Sequence, residues 1–220
     1  MIDLASVLQL YPETWKNANT YYLDLAGGLV IDPGAEKPKE ITDPIAYILI
    51  THAHYDHLRG VDSWLSDKTQ LFCAEADIWM LDDVEANASK MFAHARTFPH
   101  PTISLKGGEE LRLDEHLAVE VWATPGHTQG GLCFLLKELE GENWQARALF
   151  SGDTFFSNNI GRSDLLGGDS EQMRQTMLDL KTRLAALPVD LTVLPGHGSL
   201  CTVGDTLQAN PFLRKNGLLA

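Results

Sequence analysis

The stretch His52-Ala53-His54-Tyr55-Asp56-His57 places three imidazoles and one carboxylate within six residues of a 220-residue chain. It closely follows Ala46-Tyr47-Ile48-Leu49-Ile50, a continuous apolar run that is short enough to be a strand buried on both faces. A single histidine near a strand end is usually a hydrogen-bonded core or surface residue, but packing does not explain such a dense cluster. The stretch therefore predicts a metal site in a loop that follows a buried strand.

Three later loops repeat this arrangement, because each directly follows an apolar run that reads as a strand. They are Thr124-Pro125-Gly126-His127-Thr128, Ser151-Gly152-Asp153-Thr154 and Pro195-Gly196-His197-Gly198. We expect the four loops to deliver their side chains to one edge of the sheets. The predicted ligands are His52, His54, Asp56, His57, His127, Asp153 and His197.

The composition of this ligand set indicates which metals it binds. Five imidazoles and two carboxylates, without a thiolate, suit zinc, iron or manganese. Seven ligands are more than one tetrahedral ion uses, so they divide between two divalent ions that share a bridging carboxylate. Two ions about 3.5–4 Å apart hold a shared hydroxide, lower its pKa towards about 7 and polarise a carbonyl or phosphoryl oxygen. We expect two divalent ions, zinc before iron or manganese.

The order of predicted strands and helices favours a layered α/β sandwich, because two groups of consecutive strands are each followed by helices. Segments 21–25 and 29–31 form a predicted hairpin through Ala26-Gly27-Gly28. Further strands are predicted over 117–122, 132–136 and 148–150, with a last strand over 191–194. Helices are predicted over 58–66, 75–92 and 170–187, the last from an apolar stripe that begins at Met173. No linker or repeat divides the sequence, so we predict one domain over residues 1–220.

Bulk composition restricts the partners. The formal net charge of -13 argues against nucleic acid, since its binders collect Lys and Arg on one face. The sequence has neither a signal-peptide pattern nor a run of about 18 apolar residues, so we expect no membrane partner. Its three cysteines are far apart and odd in number, which favours a reduced, cytoplasmic protein. We expect a small-molecule substrate, and the oligomeric state stays open.

The four ligand loops resemble, in order and approximate spacing, the signature of the metallo-β-lactamase superfamily. The resemblance implies a four-layer αββα fold, with two mixed β-sheets between flanking helices and the metals at one sheet edge. It assigns His52, His54 and His127 to a first metal, Asp56, His57 and His197 to a second, and Asp153 to the bridging position. Asp32, in the turn Asp32-Pro33-Gly34, resembles the family's buried aspartate that orients ligand imidazoles. Capping its own turn is an equally compatible role.

The segment after Asp153 resembles the glyoxalase II-like branch of this superfamily. The resemblance lies in Asn158–Asp164, in Gly167-Gly168-Asp169 before a helix, and in the stretch from Cys201 to Phe212. The chain resembles the small single-domain type, which lacks the C-terminal helical domain that binds glutathione in classical glyoxalase II. True β-lactamases of this fold lack the bridging aspartate, which counts against antibiotic hydrolysis.

The resemblance implies a metal-dependent hydrolase of a small thioester, similar to hydroxyacylglutathione hydrolase. A hydroxide bridging two metal ions would attack the acyl carbon, and Asp56 would hold the second metal and accept or relay the hydroxide proton. One alternative is a mononuclear iron persulfide dioxygenase, which uses the equivalents of His52, His127 and Asp153. Those oxygenases typically have Phe-Gln where this chain has Leu165-Leu166. Lactone hydrolysis by the same seven ligands is a second alternative, and metal binding without turnover is a third.

Three further residues are candidates near the substrate. Arg162 is expected to hold a substrate carboxylate or to pair with Asp164 beside the metals, although their ion pair would also serve to fix a loop. Tyr55 either positions a substrate carbonyl or packs beneath the ligand loop. His94, His100 and His116 lie outside every motif and are expected at the surface.

Overall fold

The computed structural model of the protein describes residues 2–214 and residue 217. Its first six strands form one sheet in the order β1-β2-β3-β4-β5-β6. Strands β1 to β3 pair antiparallel, which confirms the predicted hairpin, and β3 to β6 pair parallel. The strands are β1 (Leu8–Tyr11), β2 (Thr20–Leu23), β3 (Leu29–Ile31), β4 (Tyr47–Leu49), β5 (Gln70–Ala74) and β6 (Ile103–Leu105).

The second sheet also has six strands, in the order β12-β11-β10-β9-β8-β7. It is mixed too, since β10 and β11 are parallel and the other neighbours are antiparallel. Its strands are β7 (Glu110–Arg112), β8 (Leu117–Ala123), β9 (Leu132–Glu140), β10 (Asn143–Gly152), β11 (Thr192–Pro195) and β12 (Cys201–Thr202). The strand predicted over 191–194 is therefore not the last one.

The alternation of side chains along the strands produces three buried layers. Leu49 of β4 and Phe150 of β10 belong to the central cluster between the sheets, whereas Ile48 and Leu149 face outward into two separate clusters. The outer cluster of the first sheet is covered by α2 (Tyr55–Leu58), α3 (Val61–Trp64) and α4 (Ile78–Asp82), and that of the second by α5 (Ser170–Ala185) and α6 (Val203–Ala209). A short helix α1 (Leu4–Val7) precedes β1. This arrangement confirms the predicted four-layer αββα sandwich.

Helix α5 confirms the prediction over 170–187 most closely. Asp169 caps its N-terminus by accepting hydrogen bonds from the backbone N–H groups of Glu171 and Gln172. The apolar stripe from Met173 to Leu184 is buried against the second sheet. Among the described residues, no helix combines the length and the apolarity that crossing a bilayer requires.

The prediction of a single helix over 75–92 was wrong in extent. The segment forms a 3₁₀ turn (Glu75–Asp77), the short helix α4, and a second 3₁₀ turn (Ser89–Phe92). Asp83 interrupts the helix because its backbone is extended and its carboxylate accepts hydrogen bonds from the N–H groups of Glu85 and Ala86. Met91, an apolar residue near the end of this segment, is 65% exposed.

The helix predicted over 58–66 is also divided, into α2 and α3. Gly60 separates them with φ −92° and ψ 2°, outside the helical region. A Cβ atom at this position would collide with the backbone of Ala35, so the turn depends on glycine. The early end of α2 confines it to one turn, which carries Asp56 and His57.

Candidate metal centre

The structure brings all seven predicted ligand residues together at one edge of the sandwich. Four loops supply them, after β4 in the first sheet and after β8, β10 and β11 in the second. The loop after β11 lies so close to the other ligand residues that it requires glycine at position 196. A Cβ atom on Gly196 would collide with the side chains of Asp153 and His57. The residues are His52 and His54 after β4, Asp56 and His57 in α2, His127 after β8, Asp153 after β10 and His197 after β11.

The first group of ligands consists of three buried imidazoles. Nε2 of His127 lies 3.2 Å from Nε2 of His52 and 3.0 Å from Nδ1 of His54. Ligands bound at 2.0–2.1 Å in a tetrahedral site are about 3.3 Å apart, so these separations match three ligands of one ion. The three nitrogens therefore fit a single metal ion.

The second group combines Asp56, His57 and His197, whose candidate ligand atoms lie within 4.8 Å of one another. Nε2 of His197 is 3.1 Å from Oδ2 of Asp56. Asp153 touches both groups, because its Oδ2 lies 3.7 Å from Nε2 of His127 and 3.5 Å from Nε2 of His197. Its other oxygen lies 3.4 Å from Nε2 of His57. Asp153 thus occupies the position between the two groups.

Unpaired buried atoms support this interpretation. Nε2 of His57 and Oδ1 of Asp153 have no hydrogen-bond partner among the described residues, as is also true of Nε2 of His54. A buried polar atom without a partner costs about 1–3 kcal/mol, and native proteins contain few of them. Coordination of a cation would satisfy Nε2 of His57 and Oδ1 of Asp153 at once. The residues present therefore fit divalent metal ions.

Asp32 orients ligands of both groups from beneath. Its Oδ2 accepts hydrogen bonds from Nδ1 of His57 at 2.8 Å and from Oγ1 of Thr51 at 2.7 Å. The Thr51 hydroxyl lies 3.1 Å from Nδ1 of His52 and, because its own proton is donated to Asp32, it accepts a hydrogen bond from Nδ1–H. Asp32 is buried and has a positive φ of 52°. These contacts leave Nε2 of both histidines free to bind metal.

Asp77 is a site residue that the sequence analysis missed. It is fully buried and accepts three hydrogen bonds, from Ala53 N at 3.1 Å, Thr128 Oγ1 at 2.7 Å and Gly130 N at 2.6 Å. Burial raises the pKa of its carboxyl, and the hydrogen bonds from Thr128 and Gly130 oppose that shift. Asp77 joins the two loops that supply the first group. Its only sequence signal is a carboxylate within an apolar stretch.

Glu13 is a second residue that was missed. Its carboxylate accepts hydrogen bonds from Nδ1 of His197 at 2.6 Å and from the N–H of Gly198 at 3.0 Å. No local pattern indicates this contact, because 184 positions separate Glu13 from His197.

A cleft of about 280 Å³ opens beside the ligands. Apolar residues and Arg162 line this cleft, and the Arg162 carbonyl accepts a hydrogen bond from Nδ1 of His127 at 2.6 Å. The Arg162 guanidinium is exposed and donates to both oxygens of Asp164, at 2.7 and 2.8 Å. This pairing lowers the pKa of Asp164 to about 2. The apolar lining residues are Ala88, Met91, Phe92, Phe156 and Leu165.

Tyr55 lies outside the lining of that cleft. Its ring is buried and stacks on Phe92, with 5.1 Å between ring centroids. The structure thus places it beneath the ligand loop, and a role towards substrate stays a prediction. The three histidines outside the motifs, His94, His100 and His116, are exposed.

The two ligand groups differ in charge. Burial, followed by the nearby charge of His127, lowers the pKa of His54 to about 3, and burial lowers that of His52 as well. Burial also acts on His197, but the hydrogen bond to Asp56 and the charge of Asp153 outweigh it and raise the pKa to about 9. The pKa of His57 is raised too, by the charges of Asp32 and Asp153 against burial. In the metal-free protein His57 and His197 of the second group therefore hold protons that His52 and His54 of the first group do not.

Comparison with known proteins agrees with this centre. The family model described as "Metallo-beta-lactamase superfamily" matches residues 14–197, which include all seven ligands. The chain is 29% identical to the hydroxyacylglutathione hydrolase GloC of Haemophilus influenzae, over 90% of this chain and 92% of that protein.

Two solved structures are also similar. A structure described as the BLEG-1 B3 metallo-β-lactamase has a TM-score of 0.75 and 27% identity, and the match covers 94% of this chain and 99% of that one. The di-iron-bound form of TTHA1623 has a TM-score of 0.71 and 27% identity, with coverage of 93% and 100%.

Proposed function

The chain belongs to the metallo-β-lactamase superfamily, and from this premise we propose that it is a binuclear, glyoxalase II-like hydrolase of small thioesters. The observation that carries the proposal is the contact of Asp153 with both ligand groups, which suits a centre of two ions. The similarity to GloC, whose name states hydrolysis of hydroxyacylglutathione, supports a thioester as substrate. The di-iron form of TTHA1623 supports two metals.

Two divalent ions would be held, one by His52, His54 and His127 and one by Asp56, His57 and His197, with Asp153 shared. We propose zinc as the native metal, with iron or manganese able to replace it, because the donors are imidazoles and carboxylates. When bound, such ions acidify water and polarise a carbonyl oxygen.

The side chains around the centre supply the remaining requirements of thioester hydrolysis. Burial acts to raise the pKa of Asp56, but the hydrogen bond from His197 and the charges of His57 and His197 together lower it. The Asp56 carboxylate is ionised at neutral pH, so its Oδ2 is able to accept a proton from the attacking water. Phe92 and Phe156, which line the cleft, would pack against the acyl chain, and Arg162 would pair with a substrate carboxylate.

The similarity to the BLEG-1 structure favours β-lactam hydrolysis as a second candidate. That reaction needs the same two functions, activation of water and polarisation of a carbonyl. Asp153 favours thioester hydrolysis over β-lactam hydrolysis, since the signature of true β-lactamases lacks the bridging aspartate.

A substrate panel tests the proposal. S-lactoylglutathione and an aryl thioester, a lactone, a chromogenic cephalosporin and glutathione persulfide are each offered to the zinc-loaded and the iron-loaded protein, with Asp153→Ala as the control. We expect thioester cleavage with release of free thiol, at equal rates with and without oxygen. Oxygen uptake with persulfide and no thioester cleavage would instead assign the persulfide dioxygenase, and preferred cleavage of the lactone or the cephalosporin would assign those activities.

We also propose a cytoplasmic location and no nucleic-acid partner. The three cysteines are free, and two of them are buried, which suits a reducing compartment. The net charge of -13 disfavours a phosphate backbone.

A further inference from the structure

The turn before β2 is bound to the loop that carries His197. Asn19, which is buried, donates from Nδ2 to the carbonyls of Pro195 and Gly198, at 3.0 Å each. Its backbone N–H donates to Gly196 O at 2.8 Å, and its Oδ1 accepts from Glu13 N, also at 2.8 Å. Asn19 thus holds both the ligand loop and the backbone of Glu13 in fixed positions.

This placement directs the Glu13 carboxylate at the outer nitrogen of His197. One oxygen lies 2.6 Å from Nδ1 of His197 and the other accepts from Gly198 N at 3.0 Å, so both oxygens are engaged. A carboxylate at Nδ1 keeps the proton on that nitrogen and leaves Nε2 as the ligand atom. Nε2 indeed faces Oδ2 of Asp56 at 3.1 Å and Oδ2 of Asp153 at 3.5 Å.

His197 needs this support more than the other ligand imidazoles do. Its side chain is 30% exposed, whereas those of His57 and His127 are 0% and 6% exposed. The buried rings are held by packing as well as by their own partners, Asp32 and the Arg162 carbonyl. The contact of Nδ1 with Glu13 opposes rotation of the His197 side chain into solvent, in addition to the contact of Nε2 with Asp56.

We propose that Glu13 is a positioning residue that sets the affinity of the second ligand group for its metal ion. Within the part of the chain that the structure describes, the hydrogen bonds of Glu13 reach Asn19, His197 and Gly198 and not the first group, so the affinity of His52, His54 and His127 should not depend on it. The residue lies just outside the segment 14–197 that the family model matches. The inference rests on the two-metal centre and is independent of which substrate is hydrolysed.

Metal titration tests the inference without an activity assay. Metal-stripped protein is titrated with Zn²⁺ against a chelator, and bound metal is measured for wild type, Glu13→Ala and Glu13→Gln. The control is Glu142→Ala, which removes the same charge from an exposed hairpin turn. We expect Glu13→Ala to weaken the second binding step about 10- to 100-fold, the usual effect of losing such a partner, and to leave the first step unchanged. Glu13→Gln keeps one acceptor oxygen and should give an intermediate loss.

Two outcomes would overturn the inference. Equal second-step affinity in wild type and both variants would show that Glu13 does not act on the metal. Equal weakening of both steps together with a lower Tm would show a general structural role. If Glu13→Ala does not fold, Glu13→Gln alone decides, because this substitution preserves side-chain volume. A weaker second binding step with an unchanged first step then supports the inference. An unchanged second step refutes it.

Discussion

Nδ1 of His54 lies 3.0 Å from Nε2 of His127, although 73 positions separate the two residues. His54 follows β4 of the first sheet and His127 follows β8 of the second, so this distance is set by the packing of one sheet on the other. Leu49 at the end of β4 and Val121 near the end of β8 both belong to the central core. The geometry of the first ligand group therefore depends on the core between the sheets, and metal binding should in turn stabilise that packing.

The position of Asp153 leads to a prediction about metal content. Asp153→Ala removes the carboxylate that touches both groups, so we expect loss of one of the two ions and a fall in kcat/KM of at least about 100-fold. The fold should persist, because a small side chain fits the space and the core is unchanged. Elemental analysis, turnover and circular dichroism check this, with the exposed Asp190→Ala as control. Normal turnover with two metals bound would refute the assignment.

Asp77 leads to a prediction about stability. Asp77→Ala would leave the donors on Ala53, Thr128 and Gly130 without their acceptor in a buried position. Each unsatisfied group costs about 1–3 kcal/mol, so the free energy of unfolding of the metal-free protein should fall by about 2 kcal/mol or more. Urea denaturation measures this, and the exposed Asp82→Ala is the matched control. A decrease below about 0.5 kcal/mol would mean that Asp77 does not hold the two loops.

The seven residues that the structure brings together at this centre were identifiable from sequence because their signal is local. Four of the seven lie within six residues, and each of the others sits beside glycine directly after an apolar run. Helix α5 was predictable for the same reason, since its stripe from Met173 repeats at helical spacing. The family resemblance also indicated Asp32. Asp77 and Glu13 were not indicated, because Asp77 meets Gly130 across 53 positions and Glu13 meets His197 across 184. Such contacts exist only once the sheets have packed.

Arg162 leads to a prediction about specificity. We expect Arg162→Ala to lower kcat/KM for carboxylate-bearing thioesters about 10-fold and to leave kcat/KM for simple aryl thioesters unchanged. Asp164→Asn should have the opposite effect, since it releases the guanidinium from its present partner. Arg174→Ala is a matched control, because Arg174 is an exposed arginine in a similar pair with Glu171. Equal effects on both substrate types would leave Arg162 with a loop-fixing role only.

The charge difference between the ligand groups leads to a prediction about pH. In the metal-free protein the pKa values of His57 and His197 are raised, that of His197 to about 9, so both imidazoles carry an extra proton at pH 7. A metal ion binds only unprotonated imidazole nitrogen, so filling the second group at pH 7 must displace about two protons. The affinity of the second step should therefore rise with pH, and this rise should continue through the pKa of His197 at about 9.

Binding of the first metal ion should release fewer protons than binding of the second. His52 and His54 have lowered pKa values and are already neutral at pH 7, so neither imidazole loses a proton when the first ion binds. Calorimetric titration with Zn²⁺ in two buffers of different ionisation enthalpy separates the steps, because each displaced proton adds the buffer's own heat. We expect a clear dependence on buffer for the second step and a weaker one for the first. Equal proton release in both steps would show that the two groups do not differ in charge.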